Sequence, residues 1–190
     1  MAKALDFRRR REALTDYKKR LALVKGGHDR VVVRKTNKRI ICEIIRYAEK
    51  GDLVLAYVDS SALALKYNWP ARSNRPTAYL MGLLLAKTAA SKIKGGQEKP
   101  YILDIGLGTP VKNSIPFVFA KGCMDGGMRL HAGLDIKEAI YNYSNTEYAK
   151  KASEAEGKAR QYGKFLKDGI KIETLGHLFE ETKKKIISGS

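Results

Sequence analysis

Three short apolar runs separated by polar turns predict that the folded core begins with three β-strands. Two short β-branched runs, residues 30–33 and 40–45, flank a tight polar turn in which Asn37 suits a positive φ angle. A third apolar run, residues 53–60, follows a turn at Gly51. Because short turns join the three runs in order, they predict a β-hairpin that continues into an antiparallel meander.

Longer apolar segments predict helices that pack on this sheet. The first begins at Pro76, a residue favoured in the first helical turn, and runs to about Lys94, where two glycines end it. A fourth strand, residues 101–105, follows this helix and is therefore predicted to be parallel to its partner in the sheet. A second helix begins at about Ser114 and ends at Gly126.

The segments outside this core have weaker patterns. Residues 4–25 are predicted to form a helix, although four consecutive arginines interrupt its apolar positions. Residues 62–77 are predicted to be an irregular connection, since Xaa-Pro bonds disfavour helix. A capping-box sequence predicts a polar helix that reaches from residue 144 to about residue 156. A last helix places one stripe on a single face: Leu175, Leu178, Phe179, Thr182 and Ile186.

Together these elements predict an α/β fold. Its mixed sheet, an antiparallel three-strand meander plus a parallel strand, is packed by helices. A basic N-terminal extension, residues 1–29, precedes the core domain at residues 30–133, and a helical C-terminal region, residues 134–190, follows it. With 190 residues, of which 44% are hydrophobic, the chain suits one domain with extensions and can build a core.

Positive charge is concentrated near the N-terminus. The whole chain carries a formal net charge of +17, and residues 1–39 contain 14 Lys or Arg and 4 Asp or Glu, which gives them a net charge of +10. Over half of the excess therefore lies in the first fifth of the chain. A basic region of this density indicates a polyanionic partner, and nucleic acid is the first candidate.

Three basic segments supply the candidate nucleic-acid contacts, as side chains that neutralise phosphates or stack on bases. The N-terminal arm, residues 7–20, offers Arg8, Arg9, Arg10, Arg11, Tyr17, Lys18, Lys19 and Arg20. The hairpin offers Arg30, Arg34, Lys35, Asn37, Lys38 and Arg39. The connection after the third strand offers Trp69, Arg72 and Arg75. The arm can instead be a frayed, solvated tail, and Trp69 can instead cover the edge of the core.

A metal-dependent nuclease acting on structured nucleic acid is the main alternative function. Asp59 and Asp104 lie in or at the end of predicted strands, and Asp125 lies near the end of a predicted helix. Carboxylates on strands can hold Mg²⁺ for phosphodiester cleavage, but capping a turn or a helix is the commoner role of such single aspartates. The three histidines have no metal-ligand spacing with one another or with either cysteine, so the sequence predicts no metal site and no cofactor.

The Gly106-Leu107-Gly108 sequence after the fourth strand is the other motif that suggests a ligand. It resembles the start of a dinucleotide-binding fingerprint, but the position of the third glycine is occupied by Val111. A turn that allows a close approach of the backbone is the better interpretation.

Cysteine usage and hydropathy predict a soluble protein of the reducing cytoplasm. Cys42 and Cys123 form no metal or disulfide pattern and are expected to be buried thiols. The N-terminus lacks the apolar core of a signal peptide, and the longest apolar stretch, residues 79–86, is far shorter than the roughly 20 residues of a membrane helix. A membrane-surface role is disfavoured, because one Phe beside four arginines gives little apolar face.

The order and combination of several motifs resembles one known family. The arm carries Phe7-Arg8-Arg9-Arg10-Arg11-Glu12, and the other matching segments are residues 15–21, 30–38, 79–84, 103–107 and 118–127. Over about residues 7–133 the chain is similar to the archaeal and eukaryotic type of ribosomal protein L eighteen, whose eukaryotic counterpart is L five. These proteins of the large ribosomal subunit bind 5S ribosomal RNA.

The resemblance implies a mixed α/β core and a structural role without catalysis. It implies that the protein docks 5S ribosomal RNA against the large ribosomal RNA in the central protuberance, beside neighbouring large-subunit proteins of the cytoplasmic ribosome. The RNA-binding arm of the family corresponds to Arg8–Arg11, Tyr17 and Lys18–Arg20, and its basic hairpin corresponds to Arg34, Lys35, Asn37 and Lys38. The expected mechanism is phosphate neutralisation by these cations, with Tyr17 or Trp69 stacked on an unpaired base.

Overall fold

Five strands form one mixed sheet in the computed structural model, which describes residues 5–133, 169 and 174–189. The strands are β1 (Asp29–Lys35), β2 (Ile40–Arg46), β3 (Leu53–Asp59), β4 (Pro100–Asp104) and β5 (Arg129–His131). Their order across the sheet is β3-β2-β1-β4-β5. β2 is antiparallel to β1 and β3, whereas β4 is parallel to β1 and β5. The predicted α/β class, the meander and the parallel fourth strand are therefore confirmed.

The fifth strand was not predicted. β5 has only three residues, and only its central Leu130 is buried. Leu130 pairs in parallel register with Tyr101 of β4, and it belongs to the core. One apolar residue between two polar ones gives no recognisable period, so the strand depends on its neighbour in the sheet and not on a local pattern.

Helices precede the first strand, connect strands of the sheet and follow the last strand along the chain. They are α1 (Arg8–Arg11), α2 (Tyr17–Lys25), α3 (Ser61–Tyr67), α4 (Arg75–Lys92), α5 (Ile115–Asp125) and α6 (Leu175–Ser188). The start of α4 agrees with the prediction, since Pro76 lies in its first turn and the side chain of Asn74 accepts a hydrogen bond from the Thr77 N–H. α5 also agrees with its predicted bounds, since Ser114 precedes its first residue and Gly126 follows its last.

α4 and α5 cross at two glycines. A Cβ atom on Gly82 would lie 2.3 Å from the Phe119 carbonyl oxygen, and one on Gly122 would lie 2.2 Å from the Tyr79 carbonyl oxygen. Both distances are far below van der Waals contact, so only glycine lets the two backbones approach this closely. The contact holds both crossover helices on one face of the sheet.

The last helix packs on α4, and the predicted apolar stripe is its buried side. Phe179 and Ile186 are buried in the core, and the Phe179 ring centroid lies 5.7 Å from that of Tyr79. Lys87 of α4 donates a hydrogen bond of 2.8 Å to the Ile186 carbonyl oxygen. The helix predicted near residues 144–156 lies outside the described residues.

Three local predictions were wrong. The predicted helix over residues 4–25 is divided into α1 and α2, because Ala13 adopts a φ of 50° and Asp16 starts a new helix by accepting a hydrogen bond from the Lys19 N–H. Residues 61–67 form α3 and not an irregular connection, since the prolines that disfavour helix come only after its end at Asn68. Asn37 does not adopt a positive φ. Thr36 and Arg39 close the hairpin turn with backbone and side-chain hydrogen bonds.

Replacing Gly82 with Ala is expected to destabilise the fold by about 2 kcal/mol, as overpacking does in other cores. Alanine favours a helix over glycine by about 1 kcal/mol, so the clash with the Phe119 carbonyl must exceed that gain. The midpoint of urea unfolding measures the difference. Gly26→Ala is the matched control, because the nearest atom to its Cβ is 3.4 Å away and its φ is −67°. Equal midpoints for the two variants would contradict the tight crossing.

Both cysteine thiols are expected to resist modification in the native protein. Cys42 and Cys123 are free and fully buried. Burial raises the pKa of both thiols, and in Cys42 nearby negative charge raises it further. Neither thiol should react with a chromogenic disulfide reagent at mildly alkaline pH, whereas both should react in denaturant. A thiol that reacts rapidly in the folded protein would show that its surroundings open locally.

Candidate nucleic-acid interface

A cleft lies on the face of the sheet that α4 and α5 leave uncovered. Successive side chains of a strand point to opposite faces. Val31 and Val33 of β1 belong to the core under the helices, so Arg30, Val32 and Arg34 lie on the other face. There the N-terminal arm and the segment after β4 border an open cleft of about 410 Å³. The sheet therefore has an apolar side that builds the core and a charged side that borders this cleft.

Two of the three basic segments, the N-terminal arm and the hairpin, meet at this cleft. Its lining includes six cationic side chains, Arg9, Lys19, Arg20, Arg30, Arg34 and Lys35, and three carboxylates, Asp16, Asp52 and Asp104. The first three cations come from the arm and the last three from β1. The fold thus brings together the cations of the arm and those of β1, which Gly26 and Gly27 separate along the chain.

Arg30 is a buried cation held by two carboxylates. Its side chain is only 4% exposed. One terminal nitrogen donates to Asp104 Oδ2 at 2.8 Å, and the other donates to Asp52 Oδ2 at 2.7 Å. Asp52 Oδ2 also accepts a hydrogen bond of 2.8 Å from Arg20 of α2. Removing a charge from water is costly unless it is paired and hydrogen-bonded. These contacts pair the charge of Arg30 and satisfy its two terminal nitrogens, whereas its buried Nε has no hydrogen-bond partner in the described part of the chain.

A second contact joins α2 to the same group. Lys19 Nζ donates a hydrogen bond of 2.9 Å to the Gly106 carbonyl oxygen, and the Gly106 N–H donates one of 2.9 Å to Asp104 Oδ1. Gly106 has a φ of 59°, as the turn interpretation of this glycine-rich segment requires. The contacts therefore close a ring from Arg20 through Asp52, Arg30, Asp104 and Gly106 back to Lys19, the neighbour of Arg20 in α2. We call these six residues the docking ring.

Other cations of the arm and hairpin are exposed or weakly paired. Arg8 and Arg10 lie 3.8 Å and 3.5 Å from Glu12 and Asp6, in exposed pairs. Arg34 and Arg39, which are 62% and 61% exposed, lie 3.4 Å and 3.6 Å from carboxylates of the neighbouring strands. The exposed cations of the two segments also include Arg9, Arg11, Lys18, Lys35 and Lys38. Exposed pairs of this kind contribute little, so a phosphate can replace the carboxylate at small cost.

Two of the predicted RNA contacts need correction. Arg30 is buried and bound to two carboxylates, so it has no surface for a phosphate. Trp69 is 2% exposed, and its indole N–H donates a hydrogen bond of 3.0 Å to Thr77 Oγ1. Its ring meets Phe179 edge-on, with 6.0 Å between the centroids. Trp69 therefore covers the core, which was the alternative interpretation, and it offers no free face for stacking.

The remaining members of that connection lie beside the hairpin turn. Ser73 Oγ donates a hydrogen bond of 2.7 Å to the Thr36 carbonyl oxygen, which ties the connection to the hairpin. Arg75 is exposed in the first turn of α4, and Arg72 is half-buried. In the arm, Tyr17 is half-buried, and its ring centroid lies 5.8 Å from that of Phe7. Of the two predicted stacking residues, Tyr17 and Trp69, only Tyr17 therefore remains accessible for stacking.

The carboxylates considered for metal binding each have a different partner. Asp104 belongs to the docking ring, and Asp125 accepts hydrogen bonds from Tyr79 Oη and Lys121 Nζ. Asp59 accepts hydrogen bonds from the N–H and hydroxyl of Ser61 at the start of α3. Burial alone would raise the pKa of Asp59, but these hydrogen bonds and the charge of Arg39 lower it on balance. Within the described part of the chain, no three acidic, histidine or cysteine side chains form a group that could hold a metal ion.

Sequence reasoning missed the acidic half of the docking ring. Asp52 lies in the predicted turn at Gly51, to which the sequence assigns no charge partner, and Asp104 is considered there only as a possible metal ligand. The one local signal was Arg30 itself, a cation that begins a run of three valines and shares the face of Val32. A charge in such a strand requires partners, but the sheet order that supplies them is not visible locally.

The chain matches the family model described as ribosomal large subunit proteins 60S L5 and 50S L18 over residues 3–101. The matched residues are slightly more than half of the 190 and include the arm, the hairpin, β3 and α4. None of the helices that the structure describes has both the length and the apolar composition needed to cross a membrane.

Replacing Arg30 with Ala is expected to destabilise the fold by about 3 kcal/mol, because it leaves two largely buried carboxylates without their common partner. Arg34→Ala is the matched control: it removes the same side chain from the same face of β1, where it is 62% exposed, and should cost less than about 1 kcal/mol. Urea unfolding of both variants gives the two values. Similar losses would contradict a structural role specific to Arg30.

Proposed function

Because the chain belongs to the family of ribosomal large subunit proteins 60S L5 and 50S L18, we propose that it binds 5S ribosomal RNA and helps to attach it to the large ribosomal RNA in the central protuberance. The family consists of RNA-binding structural proteins of the large ribosomal subunit, which act in translation, and it is not a family of enzymes. The identity of the RNA and its place in the subunit are the proposed part.

The observation that carries this proposal is the meeting of the arm and the hairpin at one cleft. Charges from both segments line it, and further exposed cations continue along the arm and around the hairpin turn. The arrangement offers an extended positive surface and not a closed pocket for a small ligand. A surface of this kind fits the phosphate backbone of a folded RNA.

We assign different roles to the members of this surface. The proposed phosphate contacts are Arg8, Arg9, Arg10, Arg11, Lys18, Lys19, Arg20, Arg34, Lys35, Asn37, Lys38 and Arg39, with Arg72 and Arg75 beside the hairpin turn. Tyr17 is the proposed stacking residue. Helical RNA has a deep, narrow major groove, so recognition rests on the shape and backbone of the RNA and on its unpaired bases.

The proposed assembly has three parts along the chain. Residues 1–29 form the RNA-binding extension, residues 30–133 form the core, and residues 134–190 form the helical C-terminal region. α2 touches the core through the docking ring, and α6 packs on α4, which supports a single assembly of the parts that the structure describes. The proposed setting is the cytoplasmic ribosome, with the large ribosomal RNA and neighbouring central-protuberance proteins as further partners.

Two other activities can be separated from this one by experiment. A general nucleic-acid binder would retain duplex DNA as tightly as 5S ribosomal RNA in a competition filter assay, whereas the proposal expects RNA to win. A nuclease would cleave the RNA in the presence of Mg²⁺ and would lose that activity in Asp104→Asn. The present partners of Asp104, Arg30 and the Gly106 N–H, favour binding over cleavage.

Replacing Arg8, Arg9, Arg10 and Arg11 together with Ala is expected to weaken 5S RNA binding and to flatten its salt dependence. Each lost phosphate contact should reduce the slope of log affinity against log salt by roughly 0.7 to 0.9 units. Affinity measurements over a series of salt concentrations give this slope. If these arginines do not touch phosphates, the slope will equal that of the unaltered protein.

The matched control removes four exposed lysines from the opposite side of the protein. Lys92 is the last residue of α4 and Lys94 follows its end, and Lys184 and Lys185 lie on α6. Replacing these four with Ala changes the net charge by the same amount as the arginine variant. A control that lowers the slope equally would indicate a diffuse effect of net charge and would contradict the proposed interface.

A further inference from the structure

We infer that Asp52 is a positioning residue for RNA binding, since it holds α2 against the sheet and thereby fixes the direction in which the basic side chains of α2 point. The inference rests on the proposed function, because it concerns the same RNA surface. Asp52 is not itself a contact for RNA, since both it and the phosphate backbone are negatively charged. It acts through Arg20.

Asp52 connects the partly exposed side chain of Arg20 to the buried side chain of Arg30. Its Oδ2 atom accepts hydrogen bonds from Arg20 at 2.8 Å and from Arg30 at 2.7 Å. Arg30 is 4% exposed and is also bound by Asp104. Asp52 is therefore anchored to a buried side chain, and through Asp52 so is Arg20. Arg20, which is 39% exposed, therefore has a defined place on the sheet although it lies near the protein surface.

Two polar contacts tie α2 to the sheet, and its apolar residues add no fully buried side chain, although Leu23 and Val24 are half-buried. Within the described part of the chain, none of the residues of α2 is buried, and its Leu21 is 55% exposed. The contacts that join α2 to the core are those of Lys19 with the Gly106 carbonyl and of Arg20 with Asp52. Consecutive residues point about 100° apart around a helix, so two such contacts fix its rotation as well as its position.

The sign of the effect separates positioning from simple electrostatics. Coulomb interaction alone predicts that removing the negative charge of Asp52 strengthens the binding of a polyanion. Positioning predicts the opposite, because α2 would be docked for a smaller fraction of the time. If the docked fraction falls to about a tenth, the apparent affinity falls about tenfold.

The first test compares Asp52→Asn with Glu49→Gln in binding to 5S ribosomal RNA at several salt concentrations. Glu49 is exposed and lies three residues before Asp52, so its replacement raises the net charge equally without touching the docking ring. We expect Asp52→Asn to bind about tenfold more weakly than the unaltered protein, and Glu49→Gln to bind as tightly or slightly more tightly. Equal or tighter binding by Asp52→Asn would overturn the inference.

Amide hydrogen exchange of the free protein tests docking without RNA. In Asp52→Asn, the amides of α2 should exchange faster, whereas those of β1 and β2 should keep their protection and so report an intact core. Unchanged exchange in α2 would also overturn the inference. Because this measurement needs no ligand, it remains informative if the RNA partner is different from the one proposed.

A second pair of variants covers the case in which Asp52→Asn does not fold. Arg20→Gln removes the link from the side of α2 and leaves Arg30 paired with both of its carboxylates. Lys25→Gln is its control, since Lys25 is an exposed cation on the same helix. We expect Arg20→Gln, and not Lys25→Gln, to speed amide exchange in α2 of the free protein. RNA affinity is not compared for this pair, because Arg20 is itself a proposed phosphate contact. Equal behaviour of the two variants would contradict the role of the Arg20–Asp52 contact.

The outcomes distinguish the two proposals. If the unaltered protein fails to prefer 5S ribosomal RNA over an unrelated structured RNA of the same length, the proposed function is wrong. If it shows that preference and Asp52→Asn shows it with equal affinity, only the positioning role of Asp52 is wrong.

Discussion

The charged side of the protein depends on the requirement that Arg30 be neutralised. A guanidinium group that is 4% exposed cannot remain without partners, and its two carboxylates come from different parts of the fold. Asp104 ends β4, which must lie beside β1, and Asp52 lies in the turn between β2 and β3. The position of this one side chain therefore requires that the meander and the parallel crossover both be in place. The same carboxylates then extend the interaction outward to α2.

The sheet separates stability from recognition by assigning them to opposite faces. On one face, α4 and α5 approach within backbone contact at Gly82 and Gly122, and α6 adds Phe179 and Ile186 to the core. On the other face, charged side chains border the cleft, and one of them, Arg34, is held only by a weak, exposed pair with Glu43. Burial of apolar surface supplies most of the folding free energy, so the charged face can be arranged for a polyanion without weakening the core.

Local patterns in the sequence were sufficient for the parts of the fold that have strong local causes. The β-branched runs of β1 and β2, the proline and glycine signals of α4 and the stripe of α6 each reflect a physical preference of their own residues. β5 and the docking ring have no such local cause, since β5 depends on β4, and Asp52 gains its role only beside Arg30. The basic surface was predictable in composition, because charge counts need no fold. Which of these cations form ion pairs within the protein, as Arg30 does, depends on the order of the strands and could not be predicted from the sequence.

The single tryptophan of the chain has a spectroscopic consequence that follows from its burial. Trp69 belongs to the connection that touches the hairpin turn; it packs edge-on against the Phe179 ring of α6 and donates a hydrogen bond to Thr77. Its emission therefore originates from one known place in the molecule, on the apolar side of the sheet and away from the cleft. Undocking of the C-terminal helix would expose the indole and shift that emission to the red. The chain thus contains an intrinsic optical reporter for the attachment of α6, which can be followed in the same samples in which RNA binding is measured.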